Sequence, residues 1–530
     1  MGIPSYFSYI IKNYPNIIRK FQSCEPFQHL FMDCNSIVYD AYYSIEKKHA
    51  KTLIDVSKIE TLILNTVVEN IKGYIRFISP KNTVFITFDG VAPFAKMSQQ
   101  KTRRYKSVFM SQLEKSDKLW NTTNITPGTV FMNSLSIRIH NEFKNKERDF
   151  NVKKINISCS DEPGEGEHKL FQYIRDNDIK SDNVAVYGLD SDLIMLSIFH
   201  RQYVNSIFVF REAPEFKGLI SDDKLRDPTE KLFLDIGLLS QSIFNEMGTD
   251  TSKSVNDYIF LCFFLGNDFL PHFPAFNIRT HGIQILMDTY RMTIGKYPDR
   301  ALILNNKIQW KWVSVFLNEI AKNEDGYILN EYFVRDKMDG RVWANNTDEE
   351  RGQILHNIPV IYRQDEKYIS PNHNGWEKRY YKQLFDMSPS EQNVKDICIN
   401  YLEGLEWVYK YYTIGCPNWK WKYHSPYPPL AKDLVKYVPK GHFDFIQSDS
   451  LMNIPFTSHL QLAYVLPRVH LNLLPEPIRR FLLTNFSQYY PVEYKFKWAF
   501  CRYFWEAHPH LPDIHIGTLE NWNSRFTDMK

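Results

Sequence analysis

The sequence predicts an α/β fold in which a mostly parallel central sheet is flanked by helices, followed by a second, mainly helical and aromatic-rich region packed over the functional site. Two observations support the sheet. Four apolar runs of strand length in the first 290 residues each end in an aspartate, and helical stretches lie between them. A third observation separates the second region: ten of the eleven tryptophans lie beyond residue 300.

The four apolar runs are, in chain order, LFMDCN (30–35), NTVFITFDG (82–90), VAVYGLD (184–190) and YIFLCFFLGND (258–268). The clearest helical stretches between them cover residues 57–78 and 165–177. Ligands of parallel α/β sheets bind at the carboxyl ends of the strands. Because each run ends in an aspartate, we expect these acids to converge on one rim of the sheet.

Beyond residue 300 the pattern becomes helical and aromatic, as in residues 308–324 and 397–415, and a proline-rich stretch follows at 416–430. No linker is long enough to free this half from the first. We therefore expect an N-terminal α/β nuclease region at 1–290, a helical region enclosing the site at 300–480, and a C-terminal segment at 481–530 that packs on the core.

Composition excludes several classes of protein. Hydrophobic residues make up 43% and charged residues 24% of the 530, which is typical of a folded chain. The 64 basic and 61 acidic residues nearly cancel, so net charge does not indicate nucleic acid. Seven scattered cysteines without a CxxC pair suggest neither disulfides nor zinc. Neither a membrane span nor a secretion signal is evident, so we expect a soluble protein of the cytoplasm.

Two further acids, Glu165 and Glu167, lie where a Pro-Gly turn enters a helix. A single aspartate after a strand is usually a solvated loop residue, and glutamate is common in the first turn of a helix. Seven carboxylates on one rim, however, need a counter-charge, because like charges raise one another's pKa. Mg²⁺ or Mn²⁺ is the natural choice, and two such ions can cleave a phosphodiester. The set predicts a metal-dependent nuclease: Asp33, Asp89, Glu165, Glu167, Asp190, Asp192 and Asp268.

A basic helix is predicted directly after Asp89. Lys96, Gln100, Arg103 and Arg104 fall at i, i+4, i+7 and i+8, which is one helical face. Most charge runs are solvated faces, but this one begins beside a candidate metal ligand, and arginine offers paired donors to phosphate oxygens. A terminal phosphate held at a fixed distance from the metals would make the enzyme an exonuclease.

These residues also carry a resemblance to a known family. The chain resembles the XRN family of 5′→3′ exoribonucleases along nearly its whole length, most specifically in DGVAPFAKMSQQKTRR and PGEGEHK. The resemblance implies a core related to that of flap nucleases, with two metal ions in the first region and a second region enclosing them. It assigns metal binding and catalysis to the seven acids, and the pocket for a 5′-monophosphate to Lys96, Gln100, Arg103 and Arg104.

Base stacking is where the chain departs from the family. Tyr39 occupies the position of the histidine that stacks on the terminal base in the family. We expect the tyrosine to stack as well, but without the pH response of histidine. The family's opposing tryptophan corresponds to one of two residues here. We favour Trp421 as the stacking partner with Trp419 in the core; the swapped assignment is the alternative.

The resulting expectation is a monomeric, processive, Mg²⁺-dependent enzyme that degrades single-stranded, 5′-monophosphorylated RNA to nucleoside 5′-monophosphates. The alternatives are a 5′-flap endonuclease on DNA and a non-catalytic factor that binds RNA 5′ ends. Preference between RNA and single-stranded DNA stays open. Because the chain stops near the end of the family's core, we expect a compact, core-only member without docking modules for protein partners, of the kind that large DNA viruses of eukaryotes encode.

Overall fold

The computed structural model describes residues 2–49, 55–114, 119–212, 231–248, 253–447 and 453–529. Its centre is a seven-stranded, mostly parallel sheet, which confirms the predicted fold class. In chain order the strands are β1 (Ile18–Arg19), β2 (His29–Asp33), β3 (Thr83–Thr87), β4 (Lys154–Ser158), β5 (Ile179–Tyr187), β6 (Val204–Glu212) and β7 (Lys231–Asp235).

The strand order is β1-β7-β6-β5-β2-β3-β4. Strands β4, β3, β2, β5 and β6 are parallel, whereas β7 and β1 add an antiparallel edge. From β2 the chain builds outward through β3 and β4, and then returns to the other side of β2 through β5 and β6. This reversal opens a crevice at the carboxyl ends of the central strands, where ligands of such sheets bind.

Helices cover both faces of the sheet. Those of the first half are α1 (Tyr6–Asn13), α2 (Asn35–His49), α3 (Val56–Ile78), α4 (Phe94–Glu114), α5 (Val130–Phe143), α6 (Glu147–Phe150), α7 (Gly166–Asp176), α8 (Asp192–His200), α9 (Ile236–Met247), α10 (Lys253–Cys262) and α11 (Gly282–Tyr290). Side chains of β2 alternate between two cores: Leu30 and Met32 pack with α2, α3 and α5, while Phe31 packs with α7 and α8.

The predicted helices at 57–78 and 165–177 are confirmed as α3 and α7. In α3 seven apolar residues recur at helical spacing and are buried, including Ile59, Ile63 and Val67. The helix begins where Asp55 accepts a hydrogen bond from the Ser57 N–H at 3.3 Å.

The fourth predicted strand, 258–268, is wrong. Residues 253–262 form α10, and a short 3₁₀ turn at 263–265 leads to the loop that carries Asp268. All residues from Tyr258 to Leu265 are at most 1% exposed. A segment buried on every side is apolar throughout, so it has no period that separates helix from strand. The strands β4 and β6, which read as less regular, were not predicted.

The second half is helical, as expected. Its helices are α12 (Trp310–Asp339), α13 (Asp348–Ile361), α14 (Gln364–Ile369), α15 (Trp376–Phe385), α16 (Glu391–Thr413), α17 (Ala431–Leu434), α18 (Ser458–Val465), α19 (Glu476–Asn485) and α20 (Ile516–Asp528). Two small antiparallel ladders accompany them, β8 (Ile303–Leu304) with β9 (Lys307–Ile308) and β10 (Phe496–Lys497) with β11 (His508–Pro509).

Aromatic residues of α12 and α16 belong to the core that lies against the β2–β5 face of the sheet. The helices α18, α19 and α20 instead form a separate core with Phe94 and Met97 of α4. The boundaries 1–290, 300–480 and 481–530 stay predictions. Among the described helices, none combines the length and apolar character that crossing a bilayer requires.

Candidate active site

The parallel register brings the predicted acids to one edge of the sheet. Asp33 is the last residue of β2 and pairs with Thr87 of β3, so that Asp89 follows two residues later at the same edge. Asp190 follows β5, and Asp192 is the first residue of α8. These carboxylates lie together because each strand ends at this rim and continues into a loop or helix.

Glu165 and Glu167 reach the same place from the start of α7. The Gly166 N–H between them donates to Asp89 Oδ1 at 2.7 Å. A β-carbon on Gly166 would lie 2.6 Å from Asp33 Oδ1, closer than real β-carbons approach a neighbour. Glycine at this position therefore lets the helix start touch two of the strand acids.

The carboxylates also act on one another's pKa, and these effects connect all seven. Asp89 and Asp190 raise the pKa of Asp33, while Asp192, Glu165 and Asp33 raise that of Glu167. Asp268 in turn raises the pKa of Asp192, which links the last acid to the rest. The predicted convergence of these residues is thus what the fold produces.

Burial is the largest cause of the pKa shifts. It raises the pKa of Asp33, Glu165 and Glu167, and with Asp268 it brings that of Asp192 to about 7. Burial also acts to raise the pKa of Asp268, but the nearby Lys96 ammonium outweighs it, and the pKa falls below its usual value. Burial thus favours the protonated form of the other four acids, and a bound cation would favour the ionised form.

The donor set fits a hard divalent cation. Ligand atoms of Glu165, Glu167 and His168 lie within 4.8 Å of one another. Asp33 Oδ1 is buried and accepts no hydrogen bond from the described residues. Carboxylate oxygens are the ligands that Mg²⁺ and Mn²⁺ prefer, and a bound cation would satisfy such an orphaned oxygen.

Lys96 lies inside the acid cluster. Its ammonium forms ion pairs with Glu165 and, at 2.7 Å, with Asp268, and the residue is 7% exposed. Although burial acts to lower it, these acids raise the pKa of Lys96 well above its usual value. Lys96 is therefore a fixed positive charge at the junction between the acids and the basic helix.

The other residues of the predicted phosphate pocket follow Lys96 along α4, which confirms the helix. Gln100 Oε1 accepts a hydrogen bond from Gln461 Nε2 at 3.1 Å. Arg104 is anchored, since it donates to the Ile125 carbonyl oxygen at 3.2 Å and to Thr126 Oγ1. Arg103 is exposed and has no carboxylate partner within 4 Å among the described residues.

The burial of the two candidate tryptophans is the reverse of the expectation. Trp421 is 8% exposed, and its ring stacks on Trp407 with centroids 5.2 Å apart. Trp419 is only half-buried, and its carbonyl oxygen accepts a hydrogen bond from the Phe94 N–H at the start of α4. The ring of Trp421 is the more buried of the two, because it fills the space above Gly404 of α16. Which of the two tryptophans stacks on a base stays a prediction. Tyr39 is half-buried on α2.

Several residues at the site were not predicted. The Tyr411 hydroxyl donates to Glu165 Oε1 at 2.7 Å, and the Tyr412 hydroxyl donates to Asp192 Oδ1 at 2.6 Å. His168 stacks on Tyr411 with centroids 3.7 Å apart. Both tyrosines belong to α16, so the second region completes the site. The only sequence signal was the aromatic density at the end of 397–415, which is typical of core helices.

Comparison with known proteins agrees with this geometry. Residues 1–213 match the family model described as the XRN 5′-3′ exonuclease N-terminus, and residues 248–364 and 362–526 match the Xrn1 helical domain. Over 98% of its length the chain is 25% identical to 5′-3′ exoribonuclease 2 of Arabidopsis thaliana, of which it covers 66%.

Two further relatives are much longer proteins. The chain is 24% identical to 5′-3′ exoribonuclease 1 of Saccharomyces cerevisiae over 93% of its own length, and 26% identical to 5′-3′ exoribonuclease 1 of Homo sapiens over 97%. It spans 41% and 33% of those proteins, respectively. The similarity thus covers nearly all of this chain but only part of each relative.

Proposed function

The chain belongs to the XRN 5′-3′ exonuclease family, and on that premise we propose that it is a Mg²⁺-dependent 5′→3′ exoribonuclease acting on single-stranded RNA with a 5′-monophosphate. The observation that carries the proposal is the junction at Lys96, where seven converging carboxylates meet a basic helix face. The relatives named 5′-3′ exoribonuclease support the same activity.

The acid cluster would hold two divalent cations, with Mn²⁺ as a substitute for Mg²⁺. Such ions activate the attacking water and stabilise the leaving oxygen of a phosphodiester. The ligands we propose are the seven acids: Asp33, Asp89, Glu165, Glu167, Asp190, Asp192 and Asp268. Tyr411 and Tyr412 orient two of them by hydrogen bonds of 2.7 and 2.6 Å to Glu165 and Asp192.

The basic face of α4 would hold the 5′-monophosphate. Arg103 supplies an uncompensated guanidinium, Arg104 a second one in a fixed position, and Gln100 a neutral donor. Lys96 would bridge this pocket and the metal ligands, because its ammonium already contacts Glu165 and Asp268. A cap or triphosphate would add bulk and charge at this end, so the pocket selects a monophosphate.

The terminal base would stack between Tyr39 and a tryptophan. Since Trp419 is only half-buried and adjoins the start of α4, whereas Trp421 is packed on Trp407, we assign the stacking role to Trp419. After each cut, the next base would enter this slot, and the product would be a nucleoside 5′-monophosphate. A monomer in the cytoplasm stays the prediction for its assembly and location.

The test uses one RNA with three different 5′ ends: monophosphate, triphosphate and hydroxyl. We expect rapid release of mononucleotides from the monophosphate form in Mg²⁺, none in EDTA, and slow turnover of the other two forms. Equal rates on all three ends would refute the phosphate pocket. Activity that survives complete chelation would refute the metal site. A matching set of single-stranded DNAs measures the preference for ribose.

A further inference from the structure

A cavity of about 730 Å³ adjoins the acid cluster beside the phosphate-binding face of α4, with Arg103 at the border between the two. Asp268 forms part of its wall, together with Gln99, Thr102 and Lys106 of α4. The opposite wall comes from the second half of the chain, in the loops at 422–427 and 499–513. The cavity therefore starts at the proposed metal site and continues away from it between the two halves.

Charge in this cavity is unevenly compensated. Its wall carries four acids, and each has its own cation: Lys96 for Asp268 at 2.7 Å, Lys422 for Asp513 at 2.6 Å, Arg279 for Glu506 at 2.7 Å and Lys497 for Asp386 at 2.6 Å. Among the described residues no carboxylate is left to pair with Lys101, Arg103 or Lys106. The cavity thus has three cationic side chains that an incoming anion could pair with.

Lys101 and Lys106 are held in place by carbonyl groups. The Lys101 ammonium donates to the Pro512 carbonyl oxygen at 3.3 Å, and that of Lys106 donates to the Trp505 carbonyl oxygen. Burial lowers the pKa of both lysines to about 8, and for Lys101 the nearby Lys422 adds to the effect. The pKa of Lys96 on the same helix is raised instead, because its ammonium lies beside Asp268 and Glu165, whose effect outweighs that of burial.

The wall also offers groups that suit a nucleotide chain. Trp505 is 39% exposed, and an exposed tryptophan beside basic residues is a stacking surface for single-stranded nucleic acid. Gln99 Oε1 and Asn267 Nδ2 are buried in the wall beside Asp268 without a hydrogen-bond partner among the described residues. They are an acceptor and a donor available to sugar hydroxyl groups.

We propose that this cavity is the path of the RNA strand on the 3′ side of the scissile phosphate, with Lys101 and Lys106 contacting backbone phosphates and Trp505 stacking on a base. The inference rests on the proposed function, because it takes the acid cluster as the place of cleavage. It goes further because it assigns the downstream nucleotides to the side of α4 that lines the cavity, adjacent to the face that holds the 5′-phosphate.

The experiment measures binding in EDTA, so that cleavage does not contribute. Fluorescence anisotropy compares a 5′-monophosphorylated dinucleotide with an octanucleotide for the wild type and for Lys101→Gln, Lys106→Gln and Trp505→Ala. The control is Lys72→Gln, since Lys72 lies on α3 and is already paired with Glu69 and Glu142. Only the longer RNA reaches the proposed path.

We expect each lysine variant to weaken binding of the octanucleotide more than that of the dinucleotide. Each should also reduce the slope of log affinity against log salt by about 0.7, the value for one phosphate contact on a single strand. Trp505→Ala should weaken octanucleotide binding about fivefold to a hundredfold. Lys72→Gln should change none of these quantities.

Thermal melting separates this role from a structural one. Lys101 is buried and Lys106 is half-buried, and neither has a carboxylate partner within 4 Å among the described residues, so their replacement by neutral glutamine should not lower the melting temperature. Equal losses for the dinucleotide and the octanucleotide, or an unchanged salt slope, would overturn the path. If the wild type binds RNA in this length-dependent way but releases no mononucleotides in Mg²⁺, the proposed function fails, and what remains is an RNA-binding cavity without a scissile phosphate.

Discussion

The hydroxyl of Tyr411 donates a hydrogen bond to Glu165 Oε1 at 2.7 Å across 246 positions of sequence. Tyr411 belongs to α16 of the second half, whereas Glu165 precedes α7 at the edge of the sheet. The bond joins the two family regions at the proposed metal site. Its neighbour Tyr412 makes an equivalent contact with Asp192 at 2.6 Å.

Replacing this tyrosine tests whether the second region orients the metal ligands. Tyr411→Phe should lower apparent Mg²⁺ affinity or kcat about 10- to 100-fold, the usual effect of losing an outer hydrogen bond to a ligand. Mg²⁺ titration of the cleavage rate measures the change. Tyr409→Phe is the matched control, because Tyr409 is 1% exposed on the same helix and its hydroxyl has no partner among the described residues. Equal effects of the two variants would contradict the assignment.

The acid cluster predicts how stability depends on pH when Mg²⁺ is absent. Burial and Asp268 raise the pKa of Asp192 from 3.8 to about 7, so between these values the folded protein holds a proton that the unfolded chain has released. The contribution of Asp192 to the free energy of unfolding should therefore fall as pH rises through this range. Asp33, Glu165 and Glu167 shift in the same direction and strengthen the trend.

Thermal melting in EDTA from about pH 5 to about pH 8 measures this trend. The melting temperature of the wild type relative to that of Asp192→Asn should decrease with pH, since buried histidines with lowered pKa, such as His200 and His508, stabilise both proteins alike as pH rises. Mg²⁺ should reverse the loss because it neutralises the same carboxylates. Asp192→Asn should also reduce the Mg²⁺ effect. Parallel profiles of the wild type and Asp192→Asn in EDTA would show that Asp192 is compensated within the protein.

Arg103 is the exposed cation of the proposed phosphate pocket. Arg103→Gln should reduce the preference for monophosphate over hydroxyl ends about 10- to 100-fold, since a hydrogen bond to a charged group contributes about 1.5–3 kcal/mol. The ratio of kcat/KM values for the two RNAs gives the measurement. Arg138→Gln on α5 is a suitable control, because its side chain is comparably exposed and paired with Glu142 at 3.2 Å. An unchanged ratio would remove Arg103 from the pocket.

The two tryptophans should respond in opposite ways to truncation. Trp421→Ala removes a ring stacked on Trp407 in the core, so we expect a loss of stability of about 3–5 kcal/mol. Trp419→Ala should leave stability nearly unchanged and weaken RNA binding by about 1–3 kcal/mol. Denaturant unfolding and RNA anisotropy measure the two quantities. If Trp421→Ala is stable but binds RNA poorly, Trp421 and not Trp419 is the stacking residue.

The fold class and the convergence of the acids were predictable because both depend on local pattern. A buried strand followed by an aspartate recurs for Asp33, Asp89 and Asp190, and parallel pairing brings such residues to one edge. Asp268 was placed correctly at the rim for a wrong reason, since it follows a helix and not a strand. An entirely apolar segment does not reveal its own period.

What the sequence did not reveal depends on contacts between distant segments. Tyr411 and Tyr412 read as core residues, and only the packing of α16 against α7 and α8 brings their hydroxyl groups to carboxylates. The exchange of Trp419 and Trp421 has the same origin, because Trp407 and Gly404 of α16 decide which ring is covered. Motif spacing identifies residues that are close in sequence, but it does not identify residues of distant segments that the fold brings into contact.

The most direct test of the central claim is the length of the first product released from a 5′-labelled, monophosphorylated RNA in Mg²⁺. We predict that labelled mononucleotide is the first and only labelled product at every time. Asp190→Ala and Asp192→Ala should lower its rate of release at least about a hundredfold, equivalent to about 3 kcal/mol. Labelled oligonucleotides as first products, or full turnover by both variants, would contradict an exonuclease that cleaves at this acid cluster.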